Sequence, residues 1–171
     1  FRSSGQIKPN ILSGGNPKLE PEKAKQKSIG FVLAPTRNSN ITVDWWEIER
    51  TNTIRSGFSL TTMRNNYALY ASNFIRDSSG QIIDIDQRYI NTGGTLNRGI
   101  ELDGNIGGKL AGGMWNVHLN GNYLLTFRTK SFDSLPYSDN LVGTYDPYFN
   151  LPIKWKHTLG FNWNKGNWSH T

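Results

Sequence analysis

The sequence predicts an all-β fold, a portion of an antiparallel transmembrane β-barrel with about five to six strands. Three observations predict it. Segments that alternate apolar and polar residues recur along the chain. Their connections alternate between short (36–40, 109–113, 164–167) and long (1–27, 52–98, 128–152). Tryptophan and tyrosine gather where the alternating segments meet their connections. Long loops at one end of the strands and short turns at the other is the arrangement of a transmembrane barrel.

The first strand, 28–34, places Ile29, Phe31 and Leu33 on one face and Ser28, Gly30, Val32 and Ala34 on the other. Pro35 has no N–H for a ladder and is expected to end it, with a polar turn at 36–40. The second strand, 41–50, sets Ile41, Val43 and Trp45 against Thr42, Asp44 and Trp46. Beyond Trp46 the pattern fails, because Glu47 and Glu49 fall on the apolar face. A strand leaving the hydrocarbon layer loses its pattern in this way. The third, 99–108, opposes Ile100, Leu102 and Ile106 to Glu101, Asp103 and Asn105, and a Gly-rich turn spans 109–113.

The fourth strand, 115–125, is the cleanest. Trp115, Val117, Leu119, Gly121, Tyr123 and Leu125 share one face; Asn116, His118, Asn120 and Asn122 share the other. Its length suits a tilted membrane crossing. The fifth, 155–163, alternates His157, Leu159, Phe161 and Trp163 against Lys156, Thr158, Gly160 and Asn162, and Trp168 opens another. Trp115, Trp163 and Trp168 adjoin short turns, while Trp45, Tyr123 and Trp155 lie toward the long loops. Such aromatic belts mark two membrane–water interfaces. A soluble sandwich also alternates, but the polar face here is a row of Asn, His, Asp and Glu, which suits a water-filled lumen.

Composition narrows the function classes. There is no cysteine, so disulfides and thiolate metal sites are excluded. No apolar run is long enough for a membrane-spanning helix. The net charge of +6 is carried mainly by the first two long loops, which hold +4 and +2. Such loops suit contact with anionic lipopolysaccharide or an electrostatic funnel for an anionic ligand. The basic residues lack an aromatic platform, so nucleic acid is not an expected partner.

No catalytic set, cofactor site or metal site emerges. His118, His157 and His170 are widely spaced, and parity puts His118 and His157 on opposite faces. Asp84 and Asp86 share a face in a long loop, where solvated acids are common. Asp77-Ser78-Ser79-Gly80 reads as a hairpin turn, with too few carboxylates for calcium. The sequons at Asn40 and Asn167 fall at short turns and are taken as chance matches.

Four motifs in order carry a family resemblance. Gly15-Asn16-Pro17-Lys18-Leu19-Glu20-Pro21-Glu22 precedes a strand, and Val43-Asp44-Trp45-Trp46-Glu47-Ile48 follows on the next. Asn91-Thr92-Gly93 then leads to Gly99-Ile100-Glu101-Leu102, and Leu151-Pro152 to Lys156-His157-Thr158-Leu159. Together they resemble the barrel of TonB-dependent outer-membrane receptors. Phe1-Arg2 also resembles that family's opening, with Ser3-Ser4 in place of Ala-Pro. Locally, Pro17 and Pro21 keep the chain extended. Lys23, Lys25 and Lys27 put like charges on one face, and Gly99 lets a neighbour approach. Glu101, Asp103 and Asn105 are expected to point into the lumen, with Glu101 in a salt bridge there to a neighbouring strand or to a plug.

The resemblance implies a 22-stranded barrel with short periplasmic turns and long extracellular loops, filled by a plug bearing a TonB box. Residues 1–171 then form a partial barrel domain, a fragment of a longer protein without its plug or last strands. The implied protein is no enzyme but an active-transport receptor in the outer membrane of a Gram-negative bacterium. It binds and imports a scarce nutrient, energised by TonB through the plug. Its other partners are outer-membrane lipid, lipopolysaccharide and a small ligand: a siderophore, carbohydrate or peptide. The basic loops favour an anionic ferric siderophore. The residues expected to line the ligand vestibule are Arg55, Arg64, Tyr67, Tyr70, Arg76 and Tyr89. The rival reading is a soluble carbohydrate-binding or adhesion β-domain. The two differ in whether Val117, Leu119, Leu125, Leu159 and Phe161 pack into a closed, dry core.

Overall fold

A computed structural model describes residues 8–132, 134–146 and 150–171. In chain order these form β1 (Asn10–Leu12), β2 (Lys23–Thr36), β3 (Ser39–Thr51) and β4 (Ile54–Arg55). Helices α1 (Leu60–Asn65) and α2 (Tyr67–Tyr70) and a 3-10 turn (Ala71–Asn73) follow. Next come β5 (Phe74–Arg76), β6 (Ile82–Asp86), β7 (Ile90–Asn91), β8 (Gly94–Leu110), β9 (Gly113–Lys130), β10 (Trp155–Lys165) and β11 (Trp168–His170). Two compact units result: the described part of Phe1–Lys23 with Asn52–Thr92, and Ala24–Thr51 with Gly93–Thr171. No helix among the described residues is long and apolar enough to cross a membrane, which leaves crossing by strands open.

The larger unit is one six-stranded sheet in the order β11-β10-β9-β8-β3-β2. The β3–β8, β8–β9, β9–β10 and β10–β11 pairings are antiparallel. The sheet ends at β11 and β2, so the described residues do not close a barrel. The strands outrun their sequence-predicted limits. At 17 and 18 residues, β8 and β9 each extend roughly 55–60 Å, well beyond the 9–11 residues of a tilted crossing. Antiparallel pairing continues past the apolar stretch because backbone hydrogen bonds, unlike the alternation, do not need lipid.

Two boundary expectations are corrected. Pro35 does not end its strand, since β2 runs through it to Thr36; β2 is the end strand of the sheet, where a missing N–H is tolerated. The turn at 109–113 shrinks to Ala111-Gly112, because Lys109 pairs with Met114 and Leu110 with Gly113. Both turn residues have positive φ, 53° and 77°, the backbone of a two-residue type I′ hairpin whose twist suits the strands it joins.

The smaller unit holds the helices that the alternating pattern does not foretell. Ser59 caps α1, its hydroxyl accepting from the Thr62 N–H at 3.2 Å. Met63, Tyr70, Phe74 and Ile85 are buried together as its core. The Tyr70 ring lies 5.0 Å from Phe58, and Tyr67 lies 5.3 Å from Phe74. β5 and β6 form the expected hairpin: Gly80 N–H donates to the Asp77 carbonyl, and Asp77 Oδ1 accepts from the Ser79 and Gln81 amides. β1 pairs in parallel with β6, and β4 pairs antiparallel with β7.

Candidate functional site

Strand register sorts the larger sheet into two chemically distinct faces, because directly opposed residues point the same way. One row runs Trp45–Ile100–Tyr123–Trp155 across four strands. Below it lie Val43–Leu102–Gly121–His157, then Ile41–Gly104–Leu119–Leu159, then Ser39–Ile106–Val117–Phe161. The Trp115–Trp163 pair closes this face at the short-turn end. Between the two aromatic rows, from Trp115 to Tyr123, lie roughly 25 Å of strand, close to the height of a barrel's apolar band. Gly121 is small so that the Trp155 indole can lie over it; a Cβ there would meet the ring. Trp155 is also stacked on His157, 5.7 Å between centroids.

This apolar face is not a core. Leu159 is 66% exposed, Phe161 48% and Ile29 72%, and among the described residues the buried large apolar side chains, Met63, Tyr70, Phe74 and Ile85, belong to the other unit. So wide an exposed apolar surface is a contact surface for something apolar.

The opposite face is mainly polar between its two ends, where Trp46 and Leu124 stand at one end and Met114 at the other. Its rows are Asp44–Glu101–Asn122–Lys156, Thr42–Asp103–Asn120–Thr158 and Asn40–Asn105–His118–Gly160. Asn116 donates to Asn105 at 2.5 Å and Asn120 to Asp103 at 3.3 Å. Glu101 makes no ion pair among the described residues, so the neighbouring strands do not supply the expected salt bridge; its cross-strand neighbours are Asp44 and Asn122, neither of them cationic. His118 and His157 lie on opposite faces, as parity requires. No group of three or more metal-ligating side chains comes together among the described residues.

The upper edge of the apolar face is abrupt. A bulge between Arg98 and Gly99 marks it, with the Trp46 indole lying over Gly99 on the polar side. One step beyond Trp45, Glu47 is buried and gripped from both sides. Lys27 Nζ donates to its Oε1 at 2.9 Å and Arg98 Nε to its Oε2 at 2.5 Å. The failed alternation at Glu47 is thus a change of environment within one continuous strand. The sequence reading did not foresee the ion cluster; the matching parity of Lys27 and Ile29 was the available signal.

In the smaller unit, two family-like motifs meet. Asn91 accepts from the Glu20 N–H at 2.8 Å and donates to the Glu20 carbonyl at 2.8 Å and the Asn52 carbonyl at 3.0 Å. Glu20 and Glu22 then accept from Asn52 Nδ2 and the Ile54 N–H. Asn16 donates to the Tyr89 carbonyl. The motif residues therefore pin three loop segments together. Phe1-Arg2 and Ser3-Ser4 lie outside the described residues.

The six residues read as vestibule-lining all belong to this smaller unit. Tyr70 is buried, which pushes its hydroxyl above its ordinary pKa, and its ring is taken up by packing. Arg76 is drawn to the Gly80 carbonyl and the Tyr67 hydroxyl, bringing Arg76 and Tyr67 together. Arg55 pairs with Ile90 in the short β4–β7 ladder. Arg64 is exposed in the last turn of α1, and Tyr89 is exposed beside Gly14. Nearby, the Arg88 guanidinium holds the Asp86 carboxyl below the usual carboxylate range, through contacts of 3.0 and 2.7 Å.

An antiparallel sheet with an exposed apolar face, aromatic borders and a mainly polar reverse is consistent with the wall of a membrane β-barrel. The chain belongs to the TonB dependent receptor-like β-barrel family, whose model matches residues 1–171. That family comprises outer-membrane transport receptors of Gram-negative bacteria and is not an enzyme family. Comparison with curated proteins and with solved structures found no match.

Proposed function

We propose that this chain forms part of the wall and the outer loops of an outer-membrane receptor that binds a scarce nutrient and imports it with energy delivered by TonB. The observation that carries the reading is the apolar face, continuous over β3, β8, β9 and β10 and exposed at Leu159 and Phe161. In water such a face would drive aggregation; against lipid it is at home. That speaks against a soluble carbohydrate-binding or adhesion domain. The wall belongs to a large barrel of the 22-stranded kind, whose polar face lines the lumen around a plug.

A ferric siderophore is the favoured cargo. The arginines of the smaller unit, with exposed tyrosines, supply cationic and aromatic groups that suit an anionic iron chelate. Arg55, Arg64, Tyr67, Arg76 and Tyr89 are the contacts proposed; Tyr70 supports them by packing. The test is growth of a receptor-deletion strain under iron limitation with a panel of ferric siderophores. Rescue by the wild-type gene, and loss of rescue when TonB is removed, is the expected result. Rescue on a carbohydrate or peptide source alone would reassign the cargo.

A further inference from the structure

We propose that Trp46, Asn97 and Arg50 form a subsite for a catechol-type aryl anion at the outer end of the polar face. The proposal deepens the siderophore reading and rests on it. Trp45 and Trp155 belong to an aromatic border of the apolar face, but Trp46 points to the other side, where no lipid explains it. Its indole lies over Gly99, so closely that a Cβ there would meet the ring. Trp46 stays partly exposed, and among the described residues no ring or cation stacks on it and no acceptor takes its N–H. Arg50 stands on the same face four residues along β3, about 13 Å of strand away. It is exposed and makes no ion pair among the described residues. In the row between them Asn97 lies opposite Ile48, its carbonyl oxygen buried without a donor.

Three unlike needs thus lie within one ligand's length: a ring face, an acceptor and a cation. Apolar packing would meet only the first. A catechol amide arm of an iron chelate meets all three. Its ring stacks on the indole, the amide N–H beside the ring donates to Asn97, and the phenolate oxygens accept from the Arg50 guanidinium. The acids next to the patch give the ligand a direction. Asp44 and Glu101 face each other one row inward of Trp46, so an anion is repelled from that end and held at the Arg50 end. A ferric trihydroxamate has alkyl arms and no net charge, and so gains from neither the ring nor the cation.

The test measures retention of iron-labelled chelates on the full-length receptor in detergent micelles. The probes are the ferric complexes of a synthetic tris-catecholamide and of a linear trihydroxamate. The expected result is preference for the catechol complex, with affinity falling about tenfold in Trp46→Ala and in Arg50→Gln. Trp46→Phe keeps a ring over Gly99 and should restore most of the affinity. Arg50 is exposed, so Arg50→Gln folds, and its remaining affinity should depend less on salt. Catechol affinity undiminished in both Trp46→Ala and Arg50→Gln overturns the subsite and spares the cargo reading. Equal wild-type affinity for the two complexes overturns the subsite as well. A wild-type receptor that retains neither chelate overturns the siderophore reading, and the subsite with it.

Discussion

Glu20 and Asn91, separated by 71 positions, bond to each other in both directions: the Glu20 N–H reaches Asn91 Oδ1 and the Asn91 amide returns to the Glu20 carbonyl, each at 2.8 Å. A side-chain amide here imitates a strand neighbour, satisfying an extended segment that has no ladder of its own. Through its further bond to Asn52, the same residue ties down the departure from β3.

Asn91→Asp keeps the acceptor and turns the donor into an oxygen aimed at two carbonyls. Each broken bond leaves a polar group unpaired, at a cost of about 1–3 kcal/mol. Hydrogen exchange should speed up at residues 16–22 and 52–55 while β8 and β9 stay protected. Unchanged exchange in the loop segments would deny Asn91 its clasping role.

The β8–β9 turn places Ala111 at φ 53°, a conformation that costs a residue with a Cβ about 1–2 kcal/mol. Ala111→Gly should therefore stabilise the receptor by about 1 kcal/mol, and Ala111→Val should destabilise it. Urea unfolding in detergent, read as the change in midpoint at constant slope, measures both.

Acid should loosen the smaller unit. Arg88 depresses the Asp86 pKa, and the Ser79 hydroxyl together with the Gln81 amide depresses that of Asp77. A lowered folded-state pKa gives stability that is present above the unfolded value of about 3.9 and lost as pH falls through the folded one. Proteolytic susceptibility of the loops should thus be flat from neutrality to about pH 5 and rise below about pH 4. In Asp86→Asn the loops should be more susceptible at neutral pH, with a shallower acid response.

A charge on the apolar face should be expensive and its neighbour's cheap. Leu159→Arg puts the guanidinium toward lipid, costing about 2–4 kcal/mol near mid-depth. Thr158→Arg, one residue away on the polar face, should stay within about 0.5 kcal/mol of wild type. Folding titrations into lipid vesicles compare the two, and equal costs would mean that the faces are misassigned.

The crossing strands were legible because lipid and lumen impose a two-residue period on the side chains. Trp115 to Tyr123 shows it residue by residue, and the register pairs the same residues. The strand ends were not legible: from Gly94 to Arg98, and from Thr126 to Lys130, pairing proceeds in water and asks nothing of the side chains. Pro35 was misread because its penalty depends on whether a neighbour needs its N–H. α1 and α2 are too short for a clear helical period, and they hold through Met63 and Tyr70 packing in the loop core. The Asn91–Glu20 clasp is a tertiary pairing; its residues stood out only as motifs.

The central claim is that β10 presents alternate residues to lipid and to water. The chain has no cysteine, so single Cys substitutions from 156 to 163 can each carry one spin label in the full-length receptor in bilayers. Collision with lipid-soluble oxygen should peak at Leu159 and Phe161, and collision with a water-soluble nickel chelate at Thr158 and Gly160. Labels at Leu159 and Phe161 that meet the nickel chelate freely, or that are shielded from both reagents as in a dry core, would contradict the account.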